Sequence, residues 1–356
     1  MLILHTSDLH LKEYRDDRWE TLIELLKIGQ KEKIDIFTIS GDLFDKDVNA
    51  EYLRQHLRNL FSGNGFNIII IPGNHDSISY GTSGSGLYFG SDVSVIYNLN
   101  EPIEFGNIRI WGFPFEPIRE NLVLEKLHKI SDRLTLDKTN VLLYHGELLD
   151  AFFSRNEFGD EGDERYMPIK LSYFKDLNFQ YILAGHFHTR FEIWKTENKG
   201  YFIYPGSPMS ITRREKGRRK VNMFEIGSPP NEYLLDSYYY KDIIIDFDPF
   251  KEDDILEILK NKFTNLHPKA KICLTVKGYL NSKAIGKGET ELVNEIKEIV
   301  SGSCIEENYL FEDINQLFED DLFLKFLKNL EKCEFDDDMK KRMRELTIQA
   351  MRRMKY

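Results

Sequence analysis

The chain has 356 residues, 41% of them hydrophobic, and a formal net charge of −11. This length and apolar content predict two or three domains with substantial cores, while three widely spaced cysteines argue against a disulfide framework and against a cysteine metal knuckle. Neither a basic leader nor a long apolar segment is visible, so we expect a cytoplasmic protein without a membrane span.

Five apolar runs are typical of β-strands, and a polar motif follows each of them. The runs are Ile3–Leu4, Ile34–Ile39, Ile68–Ile71, Val141–Tyr144 and Tyr181–Ala184. The motifs are, in the same order, Asp8-Leu9-His10, Gly41-Asp42-Leu43-Phe44-Asp45, Gly73-Asn74-His75-Asp76, His145-Gly146 and Gly185-His186-Phe187-His188. Most of these motifs, taken alone, are as well explained by a surface turn. Five strand ends at one edge of an α/β sheet open into one crevice, however, so the conjunction predicts a single site.

Helical patterns at Trp19–Lys31 and Ala50–Phe61 alternate with these strands. Further strands are predicted at Val93–Tyr97, Ile108–Phe113, Tyr201–Tyr204 and Val221–Ile226. This α/β order predicts two packed sheets flanked by helices, a four-layer αββα sandwich. The glycine-rich segment Gly81–Gly86 lacks the Gly-Lys-Ser/Thr ending of a P-loop, and we interpret it as a mobile loop on the substrate side.

The ligand types in the five motifs suit a pair of divalent cations that share one carboxylate. We predict that Asp42 is the shared ligand. The other six ligands divide into one set for each cation, Asp8, His10 and His188 for the first and Asn74, His145 and His186 for the second. Two cations held in this way can activate water and bind a phosphate group together. His75 lies beside a predicted ligand but is not needed as one, so we expect it to face the substrate as a general acid or as an electrostatic partner of that phosphate.

A run of cations follows the last motif. It contains Arg213, Arg214, Lys216, Arg218, Arg219 and Lys220. A solvated hairpin loop would explain the run without any function, but its place beside the last metal motif favours contact with DNA phosphates. The negative net charge does not oppose this interpretation, because cations bound in the site would neutralise its carboxylates.

Adjacent prolines, Pro229 and Pro230, predict a domain boundary. The pattern beyond it is that of a small α+β domain, with strand, helix, strand, helix and strand at Ile243–Phe247, Asp254–Phe263, Ile272–Val276, Glu289–Val300 and Cys304–Tyr309.

The last forty or so residues are predicted to form helices with two apolar stripes. One stripe is Leu322, Phe323, Phe326, Leu327 and Leu330, and the other is Met339, Met343, Leu346, Ala350 and Met354. Such helices either fold back on their own domain or offer a face to a partner.

The five motifs in this order resemble those of the calcineurin-like metallophosphoesterase superfamily. Within it, Leu4–Leu11, Ser40–Asp45 and Tyr204–Pro208 are similar to the SbcD-type nucleases of DNA double-strand-break repair. The resemblance covers residues 1–226 by motif and the rest by architecture only. At the position of Asp45, archaeal and eukaryotic members often have histidine, whereas aspartate is typical of the bacterial branch. It also resembles the Asp–His dyad of phosphoprotein phosphatases, which implies that Asp45 orients His75 and favours its protonated form.

This resemblance also implies cofactors and partners. The cofactors would be two Mn²⁺ ions, and a homodimer would form through the helix Ala50–Phe61. The α+β domain would cap the crevice and guide DNA, and the C-terminal helices would dock on the coiled-coil base of an SMC-like ATPase of the SbcC type.

We therefore predict a Mn²⁺-dependent DNA exonuclease and endonuclease, the nuclease subunit of an SbcC-like ATPase complex, in which a hydroxide that bridges two metals attacks the phosphodiester. The predicted domains are a nuclease domain over 1–228, an α+β capping domain over 242–312 and a helical partner-binding segment over 313–356. The alternative is a calcineurin-like phosphatase or cyclic-nucleotide phosphodiesterase acting on a small substrate, since it would use the same seven ligands. A non-enzymatic scaffold is a third possibility, but none of the expected ligands is missing.

Overall fold

A computed structural model describes residues 1–80, 88–151, 167–251 and 254–355 of the protein. The chain divides into two compact units, 1–240 and 241–356. The predicted Gly81–Gly86 loop lies outside the described residues. Over the described ranges, no helix combines the length and the apolar character needed to cross a membrane.

The first unit contains two six-stranded sheets. In spatial order, the first sheet is β12 (Glu232–Leu234), β11 (Lys220–Glu225), β1 (Leu2–Thr6), β2 (Ile36–Ser40), β3 (Asn67–Ile71) and β4 (Val93–Val95). The second is β5 (Ile103–Phe105), β6 (Ile108–Phe113), β7 (Thr139–His145), β8 (Tyr181–Gly185), β10 (Tyr201–Tyr204) and β9 (Glu192–Lys195). Strands β1 to β4 are parallel, as are β6, β7, β8 and β10, whereas β5, β9, β11 and β12 join antiparallel.

Helices cover the outer face of each sheet. They are α1 (Asp17–Glu32) and α2 (Ala50–Phe61) on the first sheet, and α3 (Glu120–Lys129) with the 3₁₀ turns Ser131–Arg133 and Leu171–Phe174 on the second. Alternation along β3 explains why its sequence is apolar throughout. Ile68 and Ile70 pack against the helices, while Ile69 and Ile71 pack between the sheets. The four-layer αββα prediction is confirmed.

The second unit is built on a three-stranded sheet of β13 (Tyr239–Phe247), β14 (Ala270–Leu280) and β15 (Cys304–Asp313), with β14 in the centre. Its helices are α4 (Ile255–Phe263), α5 (Ser282–Ile285), α6 (Glu289–Val300), α7 (Asp321–Glu331) and α8 (Asp337–Lys355), with a 3₁₀ turn at Asn315–Glu319. Leu259 of α4 and Ile296 of α6 are buried against the sheet. Strand β12 extends the first unit beyond residue 228, and α7 and α8 belong to the same unit as the sheet. The three predicted domain ranges stay a prediction.

Helices α7 and α8 share a small core inside the second unit. Phe323 of α7 and Ile348 and Met351 of α8 are buried in it. On α8, Met339, Leu346 and Met354 of the predicted stripe are exposed, so of the two alternatives left open by the sequence the stripe does not fold back on the unit. The residues of the stripe lie on one face of the helix, but the neighbouring face, with Ile348 and Met351, is the one that packs in the unit.

Candidate metal centre

The loops that follow β1 and β2 stay paired with each other beyond the ends of the strands. The backbone N–H of Asp8 donates to the carbonyl of Gly41 at 3.1 Å, and that of His10 donates to the carbonyl of Asp42 at 2.9 Å. A third bond, from the N–H of Gly146 to the carbonyl of Gly185 at 3.3 Å, joins the residue after β7 to the last residue of β8 in the second sheet. Backbone hydrogen bonds therefore hold together the strand ends and loops that carry these predicted ligands.

Four predicted ligands have a left-handed backbone, which non-glycine residues rarely adopt. The φ angles are 55° at Asp8, 47° at His10, 52° at Asp42 and 99° at His186. Each such residue costs on the order of 1–3 kcal/mol, so the surrounding contacts must hold it in place. Backbone strain concentrated at these positions is typical of a functional site.

Two glycines leave room for the ligands. A Cβ at Gly41, whose φ is +93°, would lie 2.0 Å from His145 Nδ1, and a Cβ at Gly73 would lie 2.1 Å from Asp42 Oδ1. Any side chain at either position would displace a predicted ligand. The Gly-Asp and Gly-Asn pairs in the motifs thus serve close packing and not only the turn.

Seven side chains converge at this edge, and we call them the ligand cluster: Asp8, His10, Asp42, Asn74, His145, His186 and His188. In its first half, Asp8, His10, Asp42 and His188 each offer a ligand atom within 4.8 Å of the others, and all four are buried. His188 Nε2 lies 3.2 Å from His10 Nε2 and 3.4 Å from Asp8 Oδ1. Two imidazoles and two carboxylates that point at one small volume suit a divalent cation.

In the second half, Asn74 Oδ1 lies 2.8 Å from His145 Nε2 and 3.2 Å from His186 Nδ1. Asp42 Oδ2 lies between the halves, 3.4 Å from His145 Nε2 and 3.7 Å from His10 Nε2. This oxygen is buried and accepts no hydrogen bond from any described residue. A buried carboxylate oxygen without a hydrogen bond is costly, and a cation on either side would satisfy it. The donor set therefore fits a pair of cations that share Asp42.

The carboxylates give the cluster a negative potential. Burial alone would lower the pKa of His145, but Asp42 and Asp8 outweigh it and raise that pKa to about 9. His188 behaves in the same way, because Asp8 and Glu215 raise its pKa well above the usual value despite burial. A negative electrostatic potential that stabilises protonated histidines also stabilises a divalent cation bound between the same side chains.

His75 lies at the more open side of the cluster, with 15% of its side chain exposed. Its Nδ1 is 3.4 Å from Asp45 Oδ1, and its ring meets that of His10 edge to face at 4.5 Å. Burial would raise the pKa of Asp45, but the imidazole of His75 beside it and the hydrogen bond from Arg18 hold that pKa below its usual range. The predicted pair of His75 and Asp45 is thus brought together, with Asp45 anionic.

Arg18 and Asp76 support these side chains, although no role was predicted for either. Arg18 Nη1 donates to Asp45 Oδ2 at 2.8 Å and also to the carbonyl of His10. Asp76 is fully buried, and its two oxygens accept the N–H groups of Gly73 at 2.7 Å and Phe44 at 3.1 Å. Burial and the charge of Asp42 raise the pKa of Asp76 to about 7. Asp76 is the last residue of a predicted motif, whereas no sequence signal linked Arg18 to Asp45.

The basic run is divided between the surface and the interior. Arg213, Arg214 and Lys216 are exposed, whereas Arg218 donates to the carbonyl of Leu235 at 2.8 Å. Lys220 donates to Glu232 at 2.5 Å. Arg218 and Lys220 are therefore engaged with the neighbouring strand β12 and the residue that follows it.

Arg219 corrects the DNA-contact prediction. Its side chain is only 3% exposed and donates to the carbonyls of Thr189, at 2.7 Å, and Ser207, at 3.0 Å. A buried guanidinium that is bonded to backbone carbonyls cannot reach a DNA phosphate. Its role is to fasten the backbone beside His188, whose carbonyl also accepts from it.

Comparison with known proteins agrees with this geometry. The calcineurin-like phosphoesterase family model matches residues 1–190. The SbcD subunit of the nuclease SbcCD of Staphylococcus epidermidis is 24% identical over 299 residues, which span 72% of this chain and 72% of that protein. The DNA double-strand break repair protein Mre11 of Sulfurisphaera tokodaii is 28% identical over 228 residues, 60% of this chain and 55% of that protein.

A solved structure, that of TT1561 of Thermus thermophilus, aligns with a TM-score of 0.41 at 13% identity, covering 62% of this chain and 92% of that chain. The family assignment rests on the sequence match and on the motifs, which the match contains from Asp8 to His188.

Proposed function

The chain belongs to the calcineurin-like phosphoesterase family, and from this premise we propose that it is a Mn²⁺-dependent DNA exonuclease and endonuclease that acts in double-strand-break repair. The observation that carries the metal-dependent chemistry is the buried Asp42 Oδ2, which lies between two groups of ligands and accepts no hydrogen bond from the described residues. The choice of DNA as substrate is supported by the names of the relatives, a nuclease and a DNA double-strand break repair protein.

In the proposed centre the two cations would share Asp42. Asp8, His10 and His188 would hold one cation, and Asn74, His145 and His186 would hold the other. Two divalent cations bound there would activate water and stabilise negative charge on the phosphate oxygens. Nitrogen and oxygen ligands of this kind accept Mn²⁺ among other divalent metals, and the resemblance to SbcD-type nucleases is what favours Mn²⁺.

His75 is the proposed catalytic residue outside the ligand cluster. Its position at the open side lets it reach the substrate, and Asp45 fixes its ring from behind at 3.4 Å. We assign it to proton donation toward the leaving oxygen, with Asp45 as the residue that orients it and stabilises its charged form. Arg18 acts one step further away, because it holds Asp45 in place.

For DNA contacts, the proposal keeps Arg213, Arg214 and Lys216, which are the exposed cations of the basic run. They lie in the segment between β10 and β11, and the N–H of Ser207 in that segment donates to the carbonyl of His188 at 3.0 Å. A contact to phosphates there would add affinity without reading the base sequence.

We further propose that α8 docks on an SbcC-type ATPase. Ile348 and Met351 pack inside the second unit, yet Leu346 is 57% exposed and Met354 is 85% exposed on the predicted stripe. An apolar helix face that its own domain leaves uncovered suits a helix-in-groove contact. Leu346→Glu should abolish co-purification with the ATPase, whereas Gln349→Glu, at an exposed polar position of the same helix, should not. Retention of the ATPase by the Leu346 variant would remove α8 from the interface.

The proposed homodimer would use α2. Leu53, Leu57 and Phe61 of its apolar face are buried in the core, so the surface available for a second copy is the side that carries Tyr52, which is 49% exposed. His56 beside it stacks on Tyr14 at 3.9 Å. An aromatic surface of this kind is typical of protein interfaces.

The test of the central proposal is a comparison of substrates. The purified protein is incubated with Mn²⁺ and linear duplex DNA, hairpin DNA or a small phosphoester, with EDTA as the metal-free control. We expect cleavage of the two DNAs that EDTA abolishes, and little hydrolysis of the small ester. Hydrolysis of the small ester alone would instead identify a phosphatase, and a protein inert on all three would be a scaffold.

A further inference from the structure

The segment Ser207–Arg219 contains a buried carboxylate that the proposed reaction does not use. Glu215 has no exposed surface. Its Oε2 accepts from Ser207 Oγ and from the N–H of Ile211, both at 2.7 Å. Its Oε1 accepts from the N–H of Thr212 at 3.2 Å and from its hydroxyl at 3.1 Å. Four donors fix the orientation of this carboxylate.

The fixed carboxylate faces the ligand cluster from behind. Glu215 Oε1 is 3.6 Å from His188 Nδ1, a buried nitrogen that makes no hydrogen bond with the described residues. The other ring nitrogen, Nε2, points the opposite way, toward Asp8 and His10. An imidazole that gives Nε2 to a metal carries its proton on Nδ1, and that proton needs an acceptor.

The backbone on both sides of this contact is fastened by the same arginine. Arg219 donates to the carbonyls of His188 and Ser207, so it ties the residue that carries the imidazole to the residue that holds Glu215. The two partners cannot drift apart without breaking these buried bonds. Arg219, a member of the basic run, therefore holds the backbone of His188 in place.

The two halves of the ligand cluster differ in this respect. His145 Nδ1 lies 2.8 Å from the backbone carbonyl of Ser40, a neutral acceptor, whereas His188 faces a carboxylate. A carboxylate makes the metal-binding nitrogen more basic than a neutral carbonyl does. The asymmetry therefore favours tighter binding of the cation on the His188 side.

We propose that Glu215 is a positioning residue that fixes the tautomer and the ring of His188, and so sets the affinity of the Asp8, His10 and His188 side for a divalent cation. The inference rests on the two-cation centre of the proposed function, but it does not depend on DNA being the substrate. Glu215 touches neither cation nor phosphate in this role.

The experiment measures Mn²⁺ binding by the full-length, metal-stripped protein, with calorimetry for affinity and electron paramagnetic resonance for the number of bound ions. Wild type should bind two ions with different affinities. Glu215→Gln should weaken the tighter one by roughly 10-fold to 100-fold and leave the weaker one unchanged. Glu215→Asp, which keeps the charge, should recover part of the loss. Glu232→Gln, a carboxylate on the surface near Lys220, should match wild type.

Thermal unfolding in EDTA separates positioning from folding. We expect the metal-free Glu215→Gln protein to keep a cooperative transition, so its loss of affinity is not a loss of fold. If that variant does not fold, Ser207→Ala removes one of the four donors and should still weaken the tighter site, by a smaller factor. Wild-type affinity at both sites in a folded Glu215 variant, or in Ser207→Ala if only that one folds, would overturn the inference. Two bound ions without DNA cleavage would defeat the proposed nuclease and leave this inference standing.

Discussion

The ligand cluster of the first unit buries polar side chains, whereas helix α8 of the second unit exposes apolar ones. Asp8, Asp42 and His145 are polar and completely buried, the first two on loops whose backbone is strained and cross-linked by hydrogen bonds, and the third at the end of β7. On α8, Leu346 and Met354 are apolar and exposed on a regular helix.

The difference follows from what each region must hold. Polar groups are buried at a cost only where another charge compensates them, as a cation pair would do in the cluster. A contiguous apolar face is unfavourable in water, and a partner that covers it would remove that cost, as the proposed ATPase would do at α8. Both regions differ from ordinary packing. Buried polar groups indicate a charged ligand, and an exposed apolar face indicates an apolar protein partner.

Asp42→Ala tests whether the buried polar groups of the ligand cluster bind a pair of cations, and it should have the largest effect. Loss of the shared ligand should abolish the paired site and lower DNA cleavage by about 1,000-fold or more, since paired cations supply several kcal/mol of transition-state stabilisation. Metal content measured by mass spectrometry, beside cleavage rates, checks this, with Asp132→Ala at an exposed position as the control. Two cations at normal occupancy in the Asp42 variant would show that the bridge is misplaced.

His75→Ala separates catalysis from metal binding. The variant should keep both cations but lose roughly 100-fold to 10,000-fold in turnover, the usual contribution of a general acid. His128→Ala, an exposed histidine on α3, should behave as wild type. Full turnover by a His75 variant with normal metal content would leave it no catalytic role.

Two truncations on α8 compare the contribution of a buried apolar residue with that of an exposed one. Ile348→Ala should lower the free energy of unfolding of the second unit by about 2–5 kcal/mol, because it empties a buried site. Leu346→Ala should change that free energy by no more than about 0.5 kcal/mol. Denaturant unfolding followed by circular dichroism measures both, and equal losses would mean that the stripe is packed in solution.

Among the variants of the candidate site, Arg18→Gln should produce the smallest effect. Asp45 would lose its charged donor and hold His75 less firmly, so we expect the kcat to fall about tenfold while metal content is unchanged. Arg18→Lys should restore part of the rate, and Lys27→Gln, exposed on the same helix, should have no effect. If the KM rises while the kcat stays at the wild-type value, Arg18 contacts DNA instead of positioning Asp45.

The fold and the candidate site were predictable to different depths. The strands were predictable because uninterrupted apolar runs such as Ile68–Ile71 are buried on both faces, and the loops because a polar motif ends each run. Arg18, Asp76 and Glu215 were not found, since each acts through a partner that is distant in sequence or through the backbone of another loop. The face of α8 that packs could not be predicted because the helix carries two neighbouring apolar stripes, Ile348 with Met351 and Leu346 with Met354, and helical spacing does not distinguish them.

The sequence by itself determined the layered fold and the chemistry of the seven predicted ligands, because side-chain periodicity and strand ends are local properties of the chain. Only the tertiary structure decided which cations of the basic run reach solvent, which carboxylate supports His188 and which side of α8 is left uncovered. Those outcomes depend on the burial of one segment by another, and the free energy of burial is a property of contacts that no single stretch of sequence contains.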